Sequence, residues 1–265
     1  MTAYNFLPPR RRLAPGLVPG ADAEPSGFQF PGPTDRLTCN GMTGSGKSTF
    51  ALWLFAEGAD FDKKPWVFLD YKGEELIAAA LKNKLFEPLA IDQAVPRRPG
   101  IFVVRPNARA GQTPVVDFLW GIYEKGRTGV FLDEATMVPE LRGEANSGGP
   151  FQSLLSQGRS KNIPVWVLAQ RPVNVNNMVF TENNYYSAFE VASEDDLKKI
   201  TKHIPRHSLG YDKVWDPDLI LKDHWSRWYD RKQKKSFLLR PCPPADKIFD
   251  ILAERVDKMK KRETL

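Results

Sequence analysis

Long apolar runs, cysteines and histidines are all scarce in this sequence of 265 residues. No apolar run approaches the roughly 20 residues of a membrane-spanning helix, and the first residues lack the apolar centre of a signal peptide. Two cysteines, Cys39 and Cys242, do not make a disulfide scaffold, so we expect reduced thiols. His203 and His207 have a metal-like spacing, but Pro205 lies between them and no third ligand is near. These absences predict a soluble intracellular protein without membrane insertion or a zinc site.

The positive charge of the chain is concentrated toward its C-terminus. The net charge is +6, but from Asp196 onward 18 lysines and arginines face 11 acidic residues, and the preceding part sums to −1. Such an excess favours a polyanionic partner near the C-terminal third, although a solvated lysine-rich surface has the same composition.

The spacing of prolines and apolar residues divides the chain into three parts. Residues 1–35 hold seven of the 22 prolines and are predicted to be an extended arm, either a free tail or a strap on a neighbouring subunit. Residues 36–240 alternate short apolar runs with helix-like stretches. Five such runs lack polar alternation, which predicts an α/β fold with a mostly parallel sheet and helices on both faces: 37–40, 66–70, 101–105, 129–133 and 165–170. A β-hairpin with a basic tip then precedes the final part, 241–265, a C-terminal amphipathic helix and basic tail.

The octapeptide GMTGSGKS, Gly41 to Ser48, fits the phosphate-binding loop pattern in full. It follows an apolar run and precedes a helical pattern, as this loop requires. Its glycines let backbone N–H groups point at phosphate oxygens, Lys47 reaches the β- and γ-phosphates, and the Ser48 hydroxyl is offered to Mg²⁺. We therefore predict an ATP site formed by these residues: Gly41, Met42, Thr43, Gly44, Ser45, Gly46, Lys47, Ser48 and Thr49.

Two adjacent carboxylates end a later apolar strand in GVFLDEAT. Asp133 would lie beside the loop and hold Mg²⁺ together with Ser48. Glu134, directly after it, is the candidate general base that polarises water for attack on the γ-phosphate. The alternative is that both residues only cap the segment that follows.

The segment GRSKNIPVWVLAQRP, residues 158–172, places polar residues at both ends of one buried strand. Gln170 ends the strand at the edge where ligands bind, so its amide is predicted to sense the γ-phosphate or the attacking water. Arg159 precedes the strand, at the opposite edge, and is predicted to reach the nucleotide of an adjacent subunit as an arginine finger. Arg171 and Arg142 are competing candidates for that role.

Taken together, the motifs GMTGSGKST, WVFLDYKGE, GVFLDEA, QGRSKNIP and VWVLAQRP resemble the FtsK/HerA superfamily of DNA-pumping P-loop ATPases. Within it, the short chain resembles the genome-packaging ATPases of membrane-containing icosahedral double-stranded DNA viruses. The resemblance implies a RecA-like core and the roles given above for Lys47, Ser48, Asp133, Glu134 and Gln170, with Arg159 as candidate finger. Asp70 and Lys72 in DYKG match an acidic-plus-basic turn of the family whose role the residues do not reveal.

The resemblance further implies a ring, usually a hexamer, that hydrolyses ATP and moves double-stranded DNA of any sequence through its pore. Basic loops would grip phosphates, and Arg142 with the glycine-rich segment 139–149 is the candidate grip. The expected setting is the host cytoplasm or a packaging vertex of the virion, with capsid vertex or portal proteins as partners. Two alternatives remain at this point: an ATP-dependent assembly or secretion factor that does not move DNA, and a phosphotransferase for a small substrate.

Overall fold

The central element of the molecule is a nine-stranded sheet, seen in a computed structural model that describes residues 28–107, 113–143 and 148–263. The strands are β1 (Leu37–Asn40), β2 (Pro65–Leu69), β3 (Glu87–Pro88), β4 (Gly100–Val104), β5 (Gly129–Leu132), β6 (Val165–Ala169), β7 (Tyr185–Ala188), β8 (Ser226–Asp230) and β9 (Lys235–Leu239). Their order across the sheet is β3-β4-β2-β5-β6-β1-β7-β8-β9. Pairing is parallel from β3 through β7 and antiparallel between β7, β8 and β9.

Helices cover both faces of this sheet. They are α1 (Lys47–Gly58), α2 (Glu75–Lys82), α3 (Thr113–Lys125), α4 (Pro150–Gln157), α5 (Met178–Thr181), α6 (Glu194–Thr201), α7 (Tyr211–Val214) and α8 (Ala245–Glu263). Along β2, Val67 and Leu69 belong to the apolar layer under α3 and α4, whereas Trp66 and Phe68 belong to the layer under α1 and α8. The predicted α/β fold with a mostly parallel, doubly covered sheet is confirmed, because strands buried on both faces need no polar alternation.

The chain segments at both ends of the described region join the layer under α1. Phe28 is 1% exposed and stacks on Trp53 of α1, with 6.1 Å between ring centroids. Helix α8 places Ile248, Leu252 and Val256 in the same layer. The division of the chain at residues 35 and 240 stays a prediction, and residues 1–27 of the proposed arm lie outside the described part.

Other features agree with the composition. Both cysteines are free, and Cys39 is buried. In the part of the chain that the structure describes, no helix is long and apolar enough to span a bilayer. His203 stacks on Phe180 at 5.4 Å, and within the same described ranges no cluster of three potential metal ligands is found. His203 thus takes part in a ring contact with Phe180.

Candidate active site

The phosphate-binding loop connects β1 to α1 and is held at its start by two neighbouring strands. The amide of Gly41 donates to the carbonyl oxygen of Ala169 at the end of β6, at 3.2 Å. The amide of Met42 donates to the carbonyl oxygen of Glu190, just after β7, at 2.9 Å. Gly44 and Gly46 have φ angles of 80° and 91°, which a side chain would oppose, so the tight turn depends on glycine there.

Lys47 is the first residue of α1, and its side chain is almost fully buried at the base of the loop. Burial, with a further contribution from the charge of Lys72, lowers the pKa of the Lys47 ammonium. Across the ranges 28–107, 113–143 and 148–263 this ammonium has no hydrogen-bond or ion-pair partner. The charges of Glu134 and Glu74 raise this pKa, but burial and Lys72 outweigh them. A buried ammonium without a direct partner is costly, so Lys47 fits a phosphate.

Asp133 follows β5 and lies beside the loop because only β6 separates β5 from β1. Its carboxylate is 1% exposed: Oδ2 accepts from the backbone amide of Lys72 at 3.0 Å, and Oδ1 has no protein donor in the described chain. Burial raises the pKa of this carboxyl to about 7. A buried oxygen without a donor fits a cation or its bound water, which makes Asp133 a suitable Mg²⁺ ligand.

The turn after β2, residues 70–74, contacts each acidic part of the site. The Nζ atom of Lys72 lies 2.8 Å from Oε2 of Glu134. The carboxylate of Glu74 accepts a hydrogen bond from the Ser48 hydroxyl at 3.2 Å. Sequence reasoning had no role for Lys72 and missed Glu74, because these contacts depend on β2 lying next to β5.

Asp70 anchors this turn from a fully buried position. Its Oδ1 accepts from the amide of Glu74 at 2.9 Å, and its Oδ2 pairs with Nε of Arg105 at 2.8 Å. Arg105 follows β4 and is half exposed. Asp70 thereby fixes the turn that carries Lys72 and Glu74.

Glu134 is held through both carboxylate oxygens. Oε1 accepts from the backbone amide and the hydroxyl of Thr136 at 3.3 and 3.0 Å, while Oε2 faces Lys72. Oε2 accepts no hydrogen bond in the described chain beyond this ion pair, so it keeps lone pairs with which to accept the proton of a water. The carboxylate is in place beside the loop in a restrained position.

Gln170 and Arg171 are adjacent in the chain but have different surroundings in the fold. Gln170 directly follows β6, whose last residue pairs with Asn40 beside the loop, so the amide lies at the loop's edge of the sheet as predicted from the strand pattern. Its side chain is half-buried. Arg171 instead pairs through Nε with the buried carboxylate of Asp196 at 2.9 Å. Arg171 is thus already engaged in fixing the connection to α6.

Arg159 lies in the turn between α4 and β6, at the edge of the sheet opposite the phosphate-binding loop. The side chain of Arg159 is exposed. Burial is the main cause that lowers the pKa of the Arg36 guanidinium, just before β1, and the nearby charge of Arg159 lowers it further. The preceding Gly158 has no room for a Cβ, which would approach the carbonyl oxygen of Leu154 to 2.2 Å. This position keeps Arg159 away from its own chain's loop.

Arg142 and the glycine-rich segment lie close to Glu134 in the chain. Nε of Arg142 donates to the carbonyl oxygen of Thr136. The amide of Gly143 donates to the Asn174 carbonyl oxygen at 2.9 Å, and Glu140 accepts from the amide of Phe151 in α4 at 2.8 Å. Residues 144–147 of the candidate DNA grip lie outside the described residues, but the chain on either side of them is fixed.

No protein-family model matches the chain. Over 240 residues it is 29% identical to the DNA packaging ATPase P9 of Enterobacteria phage PRD1, a match that covers 89% of this chain and 98% of P9. The chain is a homologue of a viral DNA-packaging ATPase. The resemblance drawn from the motifs is thereby confirmed, while the roles of individual site residues stay predictions.

Solved structures with this fold include the genome packaging NTPase B204 of Sulfolobus turreted icosahedral virus 2. Its complex with sulfate gives a TM-score of 0.61 at 16% identity and covers 80% of this chain and 98% of that one. Its complex with AMPPCP gives a TM-score of 0.59 at 15% identity, over 79% and 99% of the two chains. The cytoplasmic domain of the Thermomonospora curvata secretion ATPase EccC gives 0.55 at 16% identity, over 96% of this chain and 32% of that one. These likenesses show the P-loop NTPase fold.

Proposed function

We propose that the protein is an ATP-hydrolysing motor that drives double-stranded DNA into a viral capsid. One observation carries the proposal: a phosphate-binding loop with two adjacent carboxylates beside it lies in a chain matched along nearly the whole length of the DNA packaging ATPase P9. The carboxylate pair favours transfer of a phosphoryl group to water, for which a base is needed, over transfer to a small substrate.

Each site residue has a specific task in this proposal. Lys47 and the loop amides hold the β- and γ-phosphates, and Ser48 with Asp133 would hold Mg²⁺, whose charge neutralises phosphate oxygens. Glu134 accepts the proton of the attacking water through its free acceptor positions. Gln170 donates to the γ-phosphate side or orients that water.

The exposed position of Arg159, across the sheet from its own chain's loop, supports a ring in which this arginine serves the neighbouring nucleotide. A guanidinium supplied between subunits stabilises the charge of the transition state and contributes about 10³–10⁵ in rate in related enzymes. In the assembled motor we infer a hexameric ring docked on a capsid vertex in the host cytoplasm, gripping DNA through phosphates.

ATP hydrolysis with and without double-stranded DNA of random sequence tests the motor. We expect stimulation by DNA that weakens as salt rises, because phosphate contacts release counterions. Glu134→Gln should reduce hydrolysis about 10²–10⁴-fold, the usual contribution of a general base. Glu75→Gln, an exposed glutamate on α2, is the matched control and should leave hydrolysis unchanged.

Three results would contradict the motor. Nucleotide-dependent oligomerisation without any response to DNA would indicate an assembly factor. A phosphorylated acceptor would indicate a phosphotransferase. Full activity of Glu134→Gln would remove the proposed base.

Mixed assemblies test Arg159. Because each site would need its neighbour's arginine, Arg159→Ala subunits should bind ATP yet depress the activity of wild-type subunits more than dilution does. Arg127→Ala, an exposed arginine at the same edge of the sheet before β5, is the control and should only dilute. Proportional loss with Arg159→Ala would show that the finger is elsewhere.

A further inference from the structure

The topology of the sheet fixes the direction in which a bound nucleotide leaves the loop. Asp133 and Glu134 follow β5, on the β6 side of β1, so the γ-phosphate end of a triphosphate faces that side. The nucleoside end must then extend to the other side of β1, where β7 and the connection leading into β8 lie. No motif in the sequence marks a base-binding residue there.

A cleft of about 180 Å³ lies at that place. Its walls are loop residues 42–45, Glu190 after β7, and the segment Lys222–Trp225 that precedes β8. Complete small-molecule sites usually measure about 300–1,000 Å³, so this cleft has the size for one part of a ligand whose phosphates are held elsewhere.

The segment Lys222–Trp225 is fixed against the loop. His224 adopts a φ of 60°, a conformation uncommon for a residue with a side chain, and donates from Nδ1 to the carbonyl oxygen of Ser45 at 3.2 Å. A Cβ on Gly46 would approach the same imidazole nitrogen to 3.0 Å. The amide of Trp225 donates to the carbonyl oxygen of Lys222 at 2.9 Å and closes the turn. The wall of the cleft therefore has a defined position relative to the phosphates.

We infer that this cleft binds the base of the nucleoside triphosphate and that Trp225 supplies its stacking surface. Trp225 is half-buried against the core, which restrains the indole at the cleft, and an indole face accepts any base because stacking is tolerant of base identity. Glu190 and Asp223 place acceptors in the lining of the cleft. The Nζ atom of Lys222 lies 5.8 Å from the centroid of the Trp225 ring, so a base that stacks on that face takes the place of the ammonium. The inference rests on the proposed nucleotide binding and assigns the recognition of its base to residues outside the phosphate-binding motif.

Binding of two probes to the full-length chain tests the inference: ATP, and inorganic tripolyphosphate, which has the phosphates but no base. Calorimetry without added metal suffices. Trp225→Ala should weaken ATP about tenfold, the scale of one base–aromatic stack, and leave tripolyphosphate unchanged. Trp225→Phe should restore most of the ATP affinity. Trp120→Ala, which truncates a partly exposed tryptophan of α3, is the matched control and should change neither probe.

The outcomes separate this inference from the function on which it rests. Wild-type chain that binds both probes equally tightly would overturn the base site while leaving phosphate binding intact. Equal weakening of both probes by Trp225→Ala would also overturn it, since the indole would then only support the loop. Retained tripolyphosphate binding in Trp225→Ala shows that the variant is folded, whereas Lys47→Ala should lose both probes.

Discussion

The ion pair between Lys72 and Glu134 makes a prediction whose sign distinguishes two roles for the lysine. Lys72 Nζ lies 2.8 Å from Oε2 of the proposed base, and the backbone amide of the same lysine donates to Asp133. If Lys72 positions Glu134 for catalysis, Lys72→Ala should slow hydrolysis. If it only restrains Glu134, the same change should accelerate hydrolysis. The position beside both carboxylates leads us to expect slowing.

The size of the effect follows from the exposure of the pair. The side chain of Lys72 is 24% exposed and that of Glu134 is 5% exposed. Exposed pairs contribute about 0–1 kcal/mol, and removing one partner of a buried pair costs about 3–5 kcal/mol. A value of about 2 kcal/mol between these limits corresponds to a roughly 30-fold lower kcat.

Steady-state ATP hydrolysis measures this directly. The KM for ATP should change little, because Lys72 contacts Glu134 and not the phosphate-binding loop. Lys72→Arg should recover part of kcat by keeping the charge, and Lys82→Ala, an exposed lysine on α2, should have no effect. An unchanged kcat for Lys72→Ala would refute positioning, and a higher kcat would in addition identify the ion pair as a restraint.

Three further predictions concern stability, each measured by urea unfolding of the nucleotide-free chain. Burial raises the pKa of Asp133 to about 7 in the folded chain, so ionisation of this carboxyl opposes folding as pH rises from about 4 to 7. Asp133→Asn should therefore gain stability relative to wild type across that window, by up to about 4 kcal/mol, and the gain should stay constant at higher pH. Burial lowers the pKa of His203 to about 4, so wild type should lose stability relative to His203→Gln as pH falls from 6.5 to 4. Because the ring is only half-buried, we expect about 2 kcal/mol of the roughly 3 kcal/mol that the full shift would give, and a difference between the two chains that does not change with pH would contradict this. Gly149→Ala would bring a Cβ to 2.0 Å from Oε2 of Glu140 and displace the carboxylate that accepts from the first turn of α4. The free energy of unfolding should fall by about 1–2 kcal/mol. In Gly148→Ala, the control, the new Cβ meets nothing within 4 Å, and stability should not change.

The sequence predicted those parts of the fold and site that depend on local patterns. Each central strand is a run of apolar residues, and the phosphate-binding loop is a contiguous motif, so neither requires knowledge of distant contacts. Strand β3, Glu87–Pro88, was missed because two residues without an apolar pattern become a strand only by pairing with β4 at the sheet edge. The placement of Asp133 beside the loop followed from the general rule for parallel sheets.

The remaining contacts depend on crossovers that a local pattern does not encode. Lys72 was noted in the sequence, but its contact with Glu134 exists because β2 and β5 are neighbours in the sheet. Leu69 and Gly129 are 60 residues apart in the chain, and Lys72 and Glu134 are 62 apart. Residue spacing is not informative over such separations. Glu74 ends the motif WVFLDYKGE without a role that the residues reveal, and Trp225 lies in no motif. They reach the site because a turn and a loop end next to it.

The anchored ends of the glycine-rich segment have a mechanical consequence. The amide of Gly143 donates to the carbonyl oxygen of Asn174, and the Glu140 carboxylate accepts from the first turn of α4. The described chain after Glu134 is therefore held by hydrogen bonds on both sides of residues 144–147. A shift of Glu134 would therefore be passed on to Arg142, because Glu134 accepts from the amide of Thr136 and Arg142 donates to the carbonyl oxygen of Thr136.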